Sequence, residues 1–200
     1  MQIITKRAAL IDIVTRAASI VEVKKSVPIL GHVVLATGEN SVSVTATDLE
    51  IDITDSCPAD VARPGAITVP ALMLADIVRK TSGAEISFNF MPENGTVEIR
   101  SGKAKFRLPT LAAEDFPNVH ELGVVKCTFE MALADLLDIF QSVKHAMSTE
   151  HTRHYLRGVY LHGHASTRLR AVATNGHVLA MREIPAPVGA GNLDGVLLPL

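Results

Sequence analysis

Aliphatic and polar positions recur along the chain with two different periods, and the switches between them mark the elements. Residues 2–5 (QIIT) read as a short strand and residues 8–21 (AALIDIVTRAASIV) as a helix. Asp12, Thr15, Arg16, Ser19 and Glu22 fall three or four apart or side by side, which gives one polar stripe and leaves aliphatics on the rest of the helix. Pro28 ends any helix. From there the period is two: 32–37, 41–47 and 49–54 read as strands, with Gly38-Glu39-Asn40 as a hairpin turn. Residues 58–65, with Pro58, Pro64 and Gly65, read as a loop. A strand over 66–69, a helix over 71–80 ended by Gly83, and a meander of 85–90, 96–101 and 104–108 follow, with Asn94-Gly95 as its first turn.

Residues 112–125 have no clear period and form the candidate linker, so the chain divides into 1–125 and 126–200. The second part repeats the first. A strand is expected over 127–130, a helix over 132–146 with a polar stripe of Asp138, Gln141, Ser142 and His145, and strands over 157–162, 168–173 and 177–182. Laying Gly31 on Gly158 at one constant offset of 127 puts Ala46 on Ala173, Thr47 on Thr174 and Asp48 on Asn175, and it pairs Val34 with Leu161, Val42 with Leu169 and Ile51 with Val178. The helices match as LIDIV against LLDIF at offset 126, and GVLLPL falls where AITVPA stood. The second copy has no sequence here for its second helix and last hairpin, and is expected to leave a strand edge and an apolar face uncovered.

The composition narrows the functional classes. Hydrophobic residues make up 48% of the 200 and aromatics 4%, with no Trp, which implies a packed, aliphatic core. Nineteen Lys and Arg against 21 Asp and Glu give a net charge of −2, which excludes a polycationic binder and disfavours a compact, tight reader of DNA. Cys57 and Cys127 are far apart, so a disulfide scaffold and a Cys-rich zinc site are excluded, and two thiols fit a reducing cytoplasm. Asp12 and Arg16 interrupt the N-terminal apolar stretch, and no apolar run nears the ~20 residues of a membrane span, so a soluble, cytoplasmic protein is expected.

Candidate chemistry is sparse. His145, His151 and His154 cluster, as do His162 and His164, but without HExxH or a matched carboxylate, and the last two read as a solvated strand face rather than a metal site. A His-dependent metallohydrolase is therefore the weakest of the readings. Asp48, Glu50 and Asp52 alternate and could hold a cation, but a wet strand face is favoured. G-x-S-x-G, G-x-G-x-x-G and P-loop motifs are absent. Basic residues gather on or after the helices: Lys6, Arg7, Arg16, Lys24, Lys25, Arg79, Lys80, Lys144, Arg153 and Arg157. They suit either a solvated face with dipole-matched ends or a loose electrostatic surface.

SVPILGHVVLAT, TATDLEIDI, GAITVPA, EIRSGKAKFRLPTLAAEDFP, RHYLRGVYLH and VATNGH follow one another in a series that resembles the bacterial DNA sliding clamp, the beta subunit of DNA polymerase III, over all 200 residues. The resemblance implies an α+β fold of tandem clamp domains, helices inside and antiparallel sheets outside, with the second copy incomplete. It also implies a non-catalytic processivity factor without cofactor or metal. In that family two subunits of three domains each close a ring around duplex DNA. Attraction through helix-borne cations can then be weak and screened, which suits sliding and accounts for the charge balance.

Matching motifs carry the family's sites onto this chain. Lys24 and Lys25, before SVPILG, and Arg153, His154 and Tyr155 are expected to face DNA, with His154 where the family has an aromatic. Leu156, Thr174, Gly176, His177, Val178 and Leu179 match one wall of the apolar pocket that takes short peptide motifs of the polymerase catalytic subunit and the clamp loader. Val178 stands where a basic residue is common and Asn175 where Asp is usual, which bears on partner preference. Phe106 and Leu108 match the subunit-interface strand. These 200 residues cover the family's first domain and part of the second, so the chain is expected either not to close the usual homodimeric ring and to expose apolar surface at its C-terminal end, or to be a fragment of a longer product. The competing reading is a clamp-fold decoy that binds such peptides without encircling DNA.

Overall fold

The computed structural model describes residues 1–21, 27–49, 51–117, 127–150 and 152–199. The chain separates into two compact units, Met1–Glu121 and Leu122–Leu200. The first is one antiparallel sheet of eight strands in the order β5-β2-β3-β4-β1-β6-β7-β8. Its strands are β1 (Gln2–Lys6), β2 (His32–Thr37), β3 (Ser41–Thr47), β4 (Asp52–Arg63), β5 (Ala66–Pro70), β6 (Glu85–Met91), β7 (Thr96–Ser101) and β8 (Ala104–Pro109). Two helices, α1 (Arg7–Ile20) and α2 (Ala71–Lys80), pack on each other and on the sheet.

The alternation of period two decides which side of each strand is dry. Val42, Val44 and Ala46 of β3 point into the core with Val33 and Leu35 of β2. The helix brings Leu10, Ile13, Val14 and Ala17 to the same core, and Asp12, Thr15, Arg16 and Ser19 stay exposed. The helix begins one residue earlier than expected, at Arg7. That side chain donates Nε to the carbonyl of Val78 at 2.7 Å and Nη2 to that of Arg79 at 2.9 Å, closing the C-terminal end of α2.

Three expectations fail in this unit. The segment 58–65 is not a loop, because β4 runs through it to Arg63. Pro58 is the last partner of β3, opposite Ser41, and Ala59 is already paired with Thr5 of β1. The proline stands where the strand changes partner, so its missing N–H is not needed, and its carbonyl accepts from Thr5 Oγ1 at 2.8 Å. The strand expected over 49–54 starts only at Asp52, because Leu49 takes a left-handed φ of 77°. Asp48 then belongs to a turn and Glu50 lies outside the described residues, so no row of three carboxylates shares a strand face there.

The second unit is a four-stranded antiparallel sheet, β11-β10-β9-β12. It comprises β9 (Gly158–His164), β10 (Arg168–Thr174), β11 (Leu179–Pro185) and β12 (Val196–Pro199), with one helix, α3 (Leu133–Gln141). This order repeats β4-β3-β2-β5, with β12 pairing β9 as β5 pairs β2. Residues 127–130 form no strand, and the helix expected over 132–146 stops at Gln141, with a single 3-10 turn at Lys144–Ala146. The Ser142 N–H still donates to the Asp138 carbonyl at 3.0 Å, but the Val143 N–H turns to the Phe140 carbonyl at 3.2 Å, so the hydrogen-bond ladder tightens to i→i−3 there. Leu133 and Leu137 of α3 are 68% and 47% exposed.

The constant offset of 127 also needs correction. It holds for β3/β10 and β4/β11, but β10 pairs β9 with Ala171 opposite Leu161, whereas Val44 faces Leu35. Leu161 is therefore the counterpart of the buried Leu35, not of Val34, and Val159 that of Val33. One inserted residue in the hairpin accounts for the shift. Gly38 N–H reaches Ser41 O across a two-residue loop, while three residues, 165–167, join β9 to β10, with Ala165 and Ser166 at φ of 52° and 57°. A slip of one residue would have put the wrong face of β9 in the core, so burial fixes the register and the turn absorbs the insertion.

Candidate functional site

Three stretches distant in sequence meet on the open face of the second sheet. A concavity of about 220 Å³ is lined by Tyr155, Leu156, Gly158, Tyr160, Val172, Ala173, Thr174 and Leu197. Side chains of even-numbered residues on β9 and β10 point away from the core, which sets Tyr160 opposite Val172. Leu197 comes alongside Tyr160 from β12. The Tyr160 ring lies across Gly195, where a Cβ would stand 1.7 Å from its hydroxyl, so glycine is what lets the ring lie down. Tyr160 and Leu197 stay 45% and 38% exposed, and Leu179 and Met181 continue the apolar surface opposite Thr174 and Val172. Such a surface suits a few apolar anchors of an extended partner.

Beside the pocket, β10 passes to β11 through a tight turn. Asn175 Oδ1 accepts the N–H groups of His177 and Val178, each at 2.9 Å. Thr174 Oγ1 accepts the Gly176 N–H at 3.1 Å and donates to the Val178 carbonyl at 2.8 Å. Gly176 takes φ of 91°, a conformation that favours glycine. The Arg153 guanidinium reaches to within 3.4 Å of where a side chain on Gly176 would begin, and its Nε meets Glu150 Oε2 at 3.2 Å.

Of the residues expected at a peptide pocket, Leu156 and Thr174 line the concavity, while Gly176, His177, Val178 and Leu179 form the adjoining exposed turn and strand start. Tyr155, expected to face DNA, sits on the wall of the concavity, edge-to-face with the exposed His154 at 5.8 Å. Lys24 and Lys25 lie outside the described residues. Tyr160, Val172 and Leu197 were missed in the sequence. Strand parity places the first two with Thr174, and the match of GVLLPL to AITVPA supplies the strand that brings the third.

Phe106 and Leu108 lie on β8, at one end of the first sheet. Both side chains point inward: Leu108 is 7% exposed, and Phe106 packs half-buried on the core. The outward side chains of β8 are Lys105 and Arg107, which with Arg100 surround Glu98. The Lys105 ammonium, foremost among them, holds that carboxyl down at about 2.

Several basic residues near the helices are engaged locally. Arg16 pairs with Asp55, Arg79 and Lys80 pair with Asp76, and Arg7 closes α2 as described. Of the three α-helices among the described residues, α2 carries basic residues in its last turn, Arg79 and Lys80, while α1 and α3 carry none, so the expected match of cations to helix ends holds for α2 alone. Among the described residues no group of three or more His, Cys, Asp or Glu side chains could hold a metal ion, and no helix is long and apolar enough to cross a membrane.

Comparison with known proteins gives this geometry a context. Residues 1–120 match the N-terminal domain of the DNA polymerase III beta subunit, and residues 130–200 match its central domain. Over its whole length the chain is 38% identical to the beta sliding clamp of Caulobacter vibrioides, covering 54% of that protein. It is 33% identical to the beta sliding clamp of Pseudomonas aeruginosa, again over 54% of it. The solved structure of Caulobacter crescentus pol III beta superposes on all of this chain with a TM-score of 0.92 at 37% identity, over 55% of its own length. The DNA polymerase III subunit beta of Pseudomonas aeruginosa does so with 0.89 at 32%, over 53%. The chain thus spans about half the length of the curated relatives it matches. With both of its units matched in order, and with the strand order of the second repeating half of the first, the chain belongs to the family of the DNA polymerase III beta subunit.

Proposed function

We propose that this chain acts as a subunit, or part of a subunit, of a DNA sliding clamp: a non-catalytic protein that tethers the replicative polymerase to duplex DNA. The observation that carries the reading is the apolar concavity of Tyr155, Leu156, Tyr160, Val172, Thr174 and Leu197, in a chain whose two units match successive domains of the beta subunit. Its partners are then duplex DNA and short peptide segments of the polymerase and of the clamp loader. Lys24, Lys25, Arg153, His154 and Tyr155 would lie toward DNA. Gly176, His177, Val178 and Leu179 would extend the peptide wall. The open edge of β8, supported from beneath by Phe106 and Leu108, would take a neighbouring subunit by strand addition. The domains would run over 1–125 and 126–200.

Two measurements test this. Titration of the chain with a short peptide bearing Leu and Phe anchors should give saturable binding that Leu156→Ala weakens. Retention on nicked circular DNA, with release once the circle is cut, reports encirclement. Peptide binding without such retention favours a clamp-fold binder of peptides that does not surround DNA. Absence of both removes the proposal.

A further inference from the structure

The open face of the second sheet changes character along its strands. At the pocket end Tyr160 faces Val172; one step on, His162 faces Arg170; at the far end His164 faces Arg168. The rings of Tyr160, His162 and His164 follow one another at 5.2 and 6.3 Å, so the three side chains form a continuous row. On β11 the matching positions are Met181, Glu183 and Pro185. Glu183 is engaged by Arg170 and lies 3.9 Å from Arg168. The two rows of β9 and β10 thus carry two guanidinium groups, Arg168 and Arg170, and two imidazole rings next to an apolar pocket, with Glu183 on the neighbouring row as the one carboxylate facing both guanidiniums.

Resting on the reading of that pocket as a peptide site, we propose the class of peptide it takes: an apolar anchor flanked by acidic residues, the carboxylates lying over His162, His164, Arg168 and Arg170. A strand advances ~3.3 Å per residue, so the polar part of the two rows begins ~7 Å from Tyr160 and ends ~13 Å from it, a reach of two to four extended peptide residues. Nucleic acid is the other anionic partner such rows could attract. Its phosphates offer nothing to Tyr160, Val172 and Leu197, which adjoin Arg168 and Arg170 on the same face. Charge complementarity beside an apolar anchor therefore favours an acidic peptide.

The test uses the whole chain and labelled peptides with a Leu-Phe anchor, flanked on either side by four Glu, four Ser or four Lys. In low salt the Glu-flanked peptide should bind roughly 5–10-fold more tightly than the Ser-flanked one, an advantage that shrinks at high ionic strength. The double variant His162→Glu, His164→Glu should abolish that preference, and a full preference for Glu flanks persisting in it would overturn the inference. Equal affinities for Glu and Ser flanks in the unaltered chain would overturn the inference and leave the pocket reading standing. Binding of none of the peptides would overturn both. Duplex DNA binding lost in the double variant, without any preference for acidic flanks, would assign the face to nucleic acid and also overturn it.

Discussion

Asp48 and Asn175 close the same turn in the two units. Asp48 Oδ1 accepts the Ile51 N–H at 2.7 Å, and Asn175 Oδ1 accepts the Val178 N–H at 2.9 Å. Around them Thr47 and Thr174 each accept the N–H two residues on, at 2.9 and 3.1 Å, and Leu49 and Gly176 each take a positive φ. Because an oxygen acceptor is all the turn needs, Asn175→Asp should fold with nearly unchanged stability. Asn175→Ala leaves two N–H groups without their acceptor and should cost about 1–2 kcal/mol in denaturant unfolding. Equal stability of the alanine variant would show that water replaces the side chain.

Leu49 has the backbone of a glycine. Left-handed backbone costs an ordinary residue ~1–2 kcal/mol, and glycine gives back part of that through a freer unfolded chain. Leu49 is 55% exposed, so little packing is lost on truncation. Leu49→Gly is expected to raise the unfolding midpoint slightly, and the reverse change, Gly176→Leu, to lower it.

In the segment after β8, the Leu111 backbone is held by the Thr68 hydroxyl. Thr68 Oγ1 accepts the Leu111 N–H at 2.8 Å and donates to the Leu111 carbonyl at 3.0 Å. Its proton is thus committed, so His32 Nδ1, 3.2 Å away, must carry the hydrogen and donate. Thr68 is fully buried, and Thr68→Val, similar in shape, should cost about 1–3 kcal/mol by stranding three polar groups. Faster hydrogen exchange at the Leu111 amide would locate the loss.

Burial pushes His32 below the ordinary histidine range, since the charged ring loses its hydration. The folded state therefore binds the proton less readily than the unfolded chain does. The stability tied to neutral His32 is complete above ~6.5 and is lost as the pH falls toward the lower value in the fold. Unfolding free energies between pH 5 and pH 8 should show that decline, and His32→Gln should flatten it.

Glu98 predicts the opposite end of the scale. With Lys105, Arg100 and Arg107 around it, the carboxyl is held at about 2. Its folded value is depressed, so the stabilisation is present above the ordinary carboxylate value and vanishes as the pH drops through about 2. A carboxyl resonance that fails to titrate at pH 3–4 checks this directly. Glu98→Gln should be less stable at neutral pH and lose less on acidification.

Much of the architecture is legible in the residues because side-chain period and burial are local consequences of strand and helix geometry. Alternation located β2, β3, β7 and β10, and the spacing of Leu10, Ile13, Val14 and Ala17 located α1 with its wet stripe. The repeat was visible because both units need the same sequence of turns, Thr47-Asp48 and Thr174-Asn175 above all. The family resemblance points to Leu156 and Thr174, and both line the concavity of the second unit.

The rest was decided by contacts between residues far apart in the chain. Nothing local says that Pro58 sits where β4 exchanges one partner for another, or that the hairpin at 165–167 holds one residue more than its counterpart, because register is set by which face the whole sheet buries. Arg7 and Arg16 look alike in a sequence, yet one closes a helix end and the other meets Asp55. Tyr160, Val172 and Leu197 become one surface only when three strands lie side by side. The amino-acid order thus determined the elements and their dry faces, whereas the pairing of strands determined the site, since a pocket is a property of neighbours in space.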